Sequence, residues 1–403
     1  MKQQKNNRLS FNKILLFLFV LFLPTQLGRH FFFPFSYLSG VRIDYLAPTL
    51  YFTDIIALLL IVSNVQTVLR FFRSRFTIIF LALISLNIFF SLIPAISFYK
   101  FLKLLEFLAL FAIYAQSVIS PKLLLAAFAI GGGVEGSIAL SQFVTKHSLQ
   151  GLLYFFGERY FTLSTPDIAK ASLFGVEILR PYGTFSHPNS LAGFYLLPYF
   201  FVLLSKRFQK HLILKYTTLF LSSFIIFLSF SKVAILIYLI GTVVYLIGNT
   251  FYRKCILCFT ARILILTVLT GIIFAAQGDF LSAEKRILLL QNAGAIIITT
   301  PLFGVGLGSY LAAQHEFAIK YPYFFLQPVH NIFALLMAEA GIILGGFLFL
   351  VVGKYLKIMK KNRAAIFLVA VIAFTGLFDH YWLTLQQNFL LIPVVFGILS
   401  SDG

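Results

Sequence analysis

Val329-His330-Asn331-Ile332-Phe333-Ala334-Leu335-Leu336-Met337-Ala338-Glu339-Ala340-Gly341 opens on a polar pair and then runs into apolar sequence that continues to Val352. Crossing a bilayer takes about 20 predominantly apolar residues as a helix, and this run supplies them. The same pattern recurs along the chain. Of 403 residues 60% are hydrophobic and 11% charged, against about 25% charged in soluble domains, and the mean hydropathy is +0.94. The fold class this predicts is an all-α polytopic membrane protein, with about twelve transmembrane helices centred near residues 20, 59, 85, 108, 133, 196, 221, 241, 269, 342, 372 and 393. Residues 1–403 read as one integral membrane domain. The basic start, Lys2 to Arg8, precedes an apolar stretch without a small-x-small cleavage site, so the first span reads as an uncleaved helix.

A net charge of +19 would point to nucleic acid in a soluble protein, but here its placement argues otherwise. With the N-terminus inside and the spans alternating, most basic residues fall in short cytoplasmic segments, among them Arg70, Arg73, Arg75, Lys206, Arg207, Lys354, Lys360 and Arg363. Of the 13 acidic residues, only Asp402 lies on that side. This is the positive-inside signature of orientation, and no nucleic-acid partner is expected. The localisation that follows is a multi-pass protein of the cell (inner) membrane with both termini cytoplasmic. Cys255 and Cys258 are too few for a zinc site and lack a redox context, so they read as apolar residues at a membrane edge.

Two external loops are long, about 146–187 and 277–330, and their mix of Pro, Gly, charge and apolar stretches reads as ordered, membrane-hugging structure containing short amphipathic helices. In the second, Ser282 to Asn292 reads as an amphipathic helix with Ser282 as its N-cap and Arg286 on its polar face. The first ends in Arg180-Pro181-Tyr182-Gly183-Thr184-Phe185-Ser186-His187-Pro188-Asn189-Ser190, where Asn189 or Ser190 is expected to cap the next helix. Pro301-Leu302-Phe303-Gly304-Val305-Gly306-Leu307-Gly308 lacks the spacing and the lysine of a nucleotide loop. Its glycines are expected to allow close backbone approach to a neighbouring helix or a bulky ligand.

Asn331 reads as a cap. His330, at the mouth of its helix, is disfavoured as an imidazolium by the helix dipole, which leaves it neutral and able to accept a proton. Glu339 lies nine residues on, about 900° of helix rotation, and so faces away from His330; an acid at that depth needs a buried partner. Arg180, Arg286 and Lys232, the last in the hairpin Phe230-Ser231-Lys232, border the same face. Arginine grips phosphate through a bidentate, permanently charged fork. A base beside a pyrophosphate grip suggests group transfer to a hydroxyl without a metal or other cofactor. Between the last two spans, Tyr381 and Trp382 read as interfacial anchors, while Asp379 and His380 are candidates to border the same cleft.

The order of these motifs, from Arg180 to His187 and Asn189, through Ser229-Phe230-Ser231-Lys232, Arg286 and the glycine run, to His330-Asn331 and Glu339-Ala340-Gly341, resembles the bacterial O-antigen ligase and polymerase superfamily. The resemblance is densest over residues 180–345. It implies a polytopic glycosyltransferase, O-antigen ligase-like, that moves a glycan from undecaprenyl pyrophosphate to an acceptor glycan or glycolipid at the external face. Arg180 and Arg286 then match the pyrophosphate-contacting arginines, and His330 the catalytic histidine; His187 lies inside a matched motif. Leu344 stands where the ligase pattern has its last glycine, and Lys232 where an arginine is frequent, so ligase and polymerase both stay open. The rival from another class is a transporter or flippase of lipid-linked sugars.

Overall fold

The computed structural model describes residues 2–117, 119–173, 175–248, 256–275, 281–316 and 326–401. The Cys255 reading lies outside these residues, and the side chain of Cys258 is not described. The chain is mostly helical. Its helices are α1 (Lys2–Phe22), α2 (Phe52–Ser63), α3 (Val65–Phe72), α4 (Arg75–Phe89), α5 (Pro94–Gln116), α6 (Pro121–Thr145), α7 (Pro188–Leu204) and α8 (Leu212–Leu228). There follow α9 (Lys232–Gly248), α10 (Ile256–Ala275), α11 (Leu281–Thr299), α12 (Tyr310–His315), α13 (Ile332–Ile358), α14 (Arg363–Gly376), α15 (Tyr381–Thr384) and α16 (Gln386–Ser400).

A helix covers each of the twelve predicted centres. By length and composition, however, only α6 and α13 among the described residues are able to cross a membrane singly, or three spans if α2 and α3, bent by 86°, count as one. The all-α expectation also needs amending. Among the described residues there are three two-stranded antiparallel sheets: β1 (Gly28–His30) with β4 (Thr49–Tyr51), β2 (Tyr37–Leu38) with β3 (Val41–Arg42), and β5 (Lys170–Leu173) with β6 (Val176–Leu179). The loop 146–187 therefore holds a 3-10 turn, Gly151–Phe156, and a hairpin rather than an amphipathic helix. Short hairpins satisfy the backbone of such segments within themselves.

Helix starts follow the local chemistry. Proline occupies the first turn of α5, α6 and α7, where its missing N–H has no intrahelical partner to lose. Asn331 caps α13 as expected, accepting from Phe333 N and Ala334 N at 2.9 and 3.0 Å. The core centres on α7, almost wholly buried from Ser190 to Val202, with α8 and α16 against it and α5 packed on α16. Tyr381 and Trp382 belong to this core and are not interfacial anchors: they are 3% and 1% exposed. Trp382 Nε1 donates to Thr375 Oγ1 at 2.7 Å, and Gly193 leaves the space that the Tyr381 ring fills.

The glycine run does what close approach requires. α13 is broken at Gly341, whose φ is 63°, and residues 301–306 fit into the break. Val305 N donates to Ala338 O (2.9 Å), Gly306 N to Glu339 O (3.0 Å), and Ile342 N to Pro301 O (2.8 Å). Asn87 Nδ2 bridges both strands of this contact, donating to Phe303 O and Glu339 O at 2.8 and 2.9 Å. The backbone groups freed by the break thus find partners, as a membrane interior demands. Glu339 is not isolated: its carboxylate lies near the backbone N–H groups of Gly308 and Tyr310 and within electrostatic reach of Lys100.

A Cβ at Gly304 would lie 2.5 Å from Glu339 O, in a backbone conformation with φ of +68°. Gly304→Ala is therefore expected to destabilise the protein by about 1–3 kcal/mol, lowering Tm in detergent. Gly294→Ala, with nothing within 4 Å of the added carbon, serves as control and should hold or raise Tm. Equal Tm for the two variants would contradict the account of the break.

Candidate active site

The segment from Arg180 to His187 is held down from below. In α6, Gln142 and Glu135 are 0% and 1% exposed. Gln142 Oε1 accepts from Tyr182 N and Gly183 N at 2.9 and 2.8 Å, and Glu135 Oε2 accepts from Thr184 N at 2.9 Å. Thr184 Oγ1 also donates to Glu135 Oε1 at 2.6 Å. Gly183 has φ of +60°, and a Cβ there would lie 2.3 Å from Glu135 Oε2. The glycine is thus required by the clamp.

The cap of α7 is His187, not Asn189 or Ser190: its Nδ1 accepts from Asn189 N at 3.1 Å. With Pro188 in the first turn, the histidine falls at the cap position and the Asn189 side chain is left for other work. Ser282 likewise lies inside α11 rather than ahead of it.

Arg180 is half-buried and fixed from two sides. Its Nε donates to Ser229 O at 3.0 Å and its Nη2 to Asn189 Oδ1 at 2.6 Å. The hairpin before α9 therefore contributes a carbonyl. Lys232 itself is exposed, its ammonium 5.9 Å from the centroid of the Phe274 ring, and the described contacts do not draw it into the site. Arg286, on α11, lies within electrostatic reach of Arg180, His187, His330 and His380. Among the described residues its guanidinium makes no hydrogen bond or ion pair. The two long loops meet nearby, where Lys285 Nζ lies 3.8 Å from Asp167 Oδ1.

Asp379 and His380 do join the cluster. The rings of His330 and His380 have centroids 5.2 Å apart, and Asp379 Oδ2 accepts from Asn189 Nδ2 at 3.0 Å. His380 Nδ1 is paired with Thr384 Oγ1 at 2.7 Å, and Tyr45 meets the His380 ring edge-on at 5.8 Å. Asn189 stood at the end of a matched motif but was given no role except as a cap, and Tyr45 was not marked. Beside the cluster opens a cavity of about 730 Å³ whose wall includes Tyr45, Arg159, Ser186, Pro328 and Thr384.

Burial pushes the imidazoles toward their neutral forms. It is the largest influence on His330, which lies below its ordinary value, Arg286 adding to the effect and Asp379 opposing it. Burial and then Arg180 take His187 down to about 3, with Asp379 opposing. For His380 burial gives about 4, again against Asp379. Burial alone would raise Asp379, but His380, His330 and His187 together with the Asn189 hydrogen bond hold it at about 2. Arg180 is lowered by burial to about 10 and stays a cation at neutral pH.

One donor atom from each of His330, Asp379 and His380 lies within 4.8 Å of the others. Two imidazoles and a carboxylate form a donor set of zinc type rather than of magnesium or calcium type. The fields of Arg180 and Arg286 oppose a dication there, whereas they suit an anion. Neutral imidazoles, an ionised carboxylate and two arginines together make a site able to hold a phosphate-bearing group and accept a proton beside it.

Two arginines, three histidines and one carboxylate thus gather around the start of α7 and the mouth of α13. Residues 217–350, a third of the chain, match the family model of the O-antigen ligase, Wzy_C. The match contains Lys232, Arg286 and His330, while Arg180, His187, Asp379 and His380 lie outside it. No curated protein matches the chain.

His187 and His380 take up protons less readily in the folded chain, at about 3 and about 4, than at their ordinary 6.5. As pH falls from 6.5 toward 4 the unfolded chain gains protons that the folded one refuses, so stability is lost across that window. Thermal unfolding in detergent should show Tm falling over this range, with a shallower slope in His380→Gln. An unchanged slope would contradict a neutral, buried His380.

Proposed function

We propose that this chain is a glycosyltransferase of the inner membrane that moves a glycan from an undecaprenyl-pyrophosphate carrier to an acceptor hydroxyl, in cell-surface polysaccharide assembly. The observation that carries this reading is the convergence of His330, held neutral by burial, with Arg180 and Arg286. The acceptor oxygen forms a bond to the anomeric carbon of the glycan as the bond from that carbon to the pyrophosphate oxygen breaks. The acceptor's proton passes to His330, and undecaprenyl pyrophosphate leaves with its growing charge met by the two arginines. The same step makes a ligase or a polymerase, depending on which glycan or glycolipid supplies the hydroxyl.

A transporter also uses broken helices, with the freed backbone lining a substrate cavity. At Gly341 the freed groups are instead taken by residues 301–306, which favours the enzyme.

In lipid vesicles supplied with lipid-linked glycan and acceptor, His330→Ala is expected to lower the release of undecaprenyl pyrophosphate by about 10²–10⁴-fold while the protein inserts normally. Unchanged turnover would remove the histidine from catalysis. Arg286→Lys keeps the charge but not the fork, and should lose activity by about 10²-fold; full retention would argue against the grip. Chelation by EDTA should leave turnover unaltered, and activity lost to EDTA but restored by zinc would make His330, Asp379 and His380 a metal site.

A further inference from the structure

Asn189 stands between the arginine and the histidines. Its Oδ1 takes a hydrogen bond from Arg180 Nη2 at 2.6 Å, and its Nδ2 gives one to Asp379 Oδ2 at 3.0 Å. A guanidinium only donates and an ionised carboxylate only accepts, so this amide orientation alone satisfies both neighbours. Beyond Asp379 lie the two histidines, each with a ring nitrogen within 4.8 Å of the carboxylate. His380 Nδ1 already has Thr384. His330 Nδ1 is buried and has no hydrogen-bond partner among the described residues. Hydrogen bonds of catalytic groups are often long before substrate binds and tighten afterwards.

We propose that Asp379 and Asn189 are positioning residues of the transfer reaction: Asp379 orients His330 and stabilises its imidazolium, and Asn189 ties that carboxylate to the Arg180 end of the pyrophosphate grip. This rests on the transfer reading above. The proton goes from the acceptor hydroxyl to His330 and stays there, while Asp379 remains ionised and compensates the new charge, as an orienting carboxylate does in hydrolytic triads. When a leaving group loads Arg180, any shift of the guanidinium passes through one amide to the carboxylate beside the base. The charged and titratable groups facing His330 are Arg286 from α11, His187 from the segment before α7, and Asp379 and His380 from the segment after α14; Tyr45 stands behind His380.

The test is the pH profile of undecaprenyl pyrophosphate release, with purified protein in vesicles of the producing cell's membrane lipids supplemented with lipid-linked glycan. Asp379 raises the proton affinity of His330, so in Asp379→Asn the acid limb should move to lower pH. Its plateau should fall about 10²-fold, with undecaprenyl pyrophosphate binding unchanged. Asp379→Glu should return the limb toward its original position. Asn189→Leu should slow turnover and weaken undecaprenyl pyrophosphate binding about tenfold, and the double variant Asn189→Leu/Asp379→Asn should be no slower than the slower single one. An unmoved acid limb in Asp379→Asn, or losses that multiply in the double variant, would overturn the proposal. If Asp379→Asn does not fold, Asp379→Glu and Asn189→Leu decide alone: fully wild-type profiles and binding in both would overturn it. A wild-type protein that releases no undecaprenyl pyrophosphate would instead sink the transfer reading itself. Turnover that depends on His330 but not on Asp379 would remove only the positioning roles.

Discussion

The site depends on hydrogen bonds from Glu135 and Gln142 to the backbone of residues 182–184. A turn-rich segment packed into an apolar bundle leaves amide and carbonyl groups that water does not reach, and each unpaired group costs several kcal/mol in hydrocarbon. Two buried side chains of α6 take up these groups, with Gln142 Nε2 also donating to Gly183 O at 3.0 Å. Once the segment is fixed, Arg180 and His187 have fixed positions, and Pro188 starts α7 immediately after them. From there Asn189 reaches Asp379, and the last two helices are drawn to the same point.

A second constraint acts from the other side. α13 carries His330 at its mouth, and its depth is set by the break at Gly341, into which the backbone of residues 301–306 fits. Gly304 and Gly341 each leave no room for a side chain because the other's backbone occupies that space. α11, which bears Arg286, leads directly into residues 301–306. Base and arginine are thereby referred to one backbone contact, which suits chemistry that fails when groups are misplaced by about 1 Å.

Much of this was legible in the sequence, for physical reasons. Apolar runs located the helices because hydrophobic length is a local property. Asn331 was readable as a cap, since capping acts within one turn. The glycines were readable as close-approach residues, although not their partner. What stayed hidden was long-range: the pairing of Asn189 with Asp379 spans 190 residues, and nothing near either residue signals the other. Tyr45 was missed because its contact with His380 joins residues far apart in sequence, and nothing near Tyr45 signals it. Tyr381 and Trp382 were misread because an aromatic pair at a helix end looks the same whether it meets headgroups or a glycine-lined gap such as that at Gly193. Proline at 188 makes His187 the cap, and that shift by two residues frees Asn189 for the network.

The central claim is that one leaving group is held by Arg180 and Arg286 next to His330. A structure of the protein with undecaprenyl pyrophosphate bound, determined in lipid, tests it most directly. Diphosphate oxygens should lie about 3 Å from the guanidinium nitrogens of both arginines, with His330 facing the space where the anomeric carbon would sit. A diphosphate bound away from either arginine, or on the far side of α13 from His330, would contradict the account.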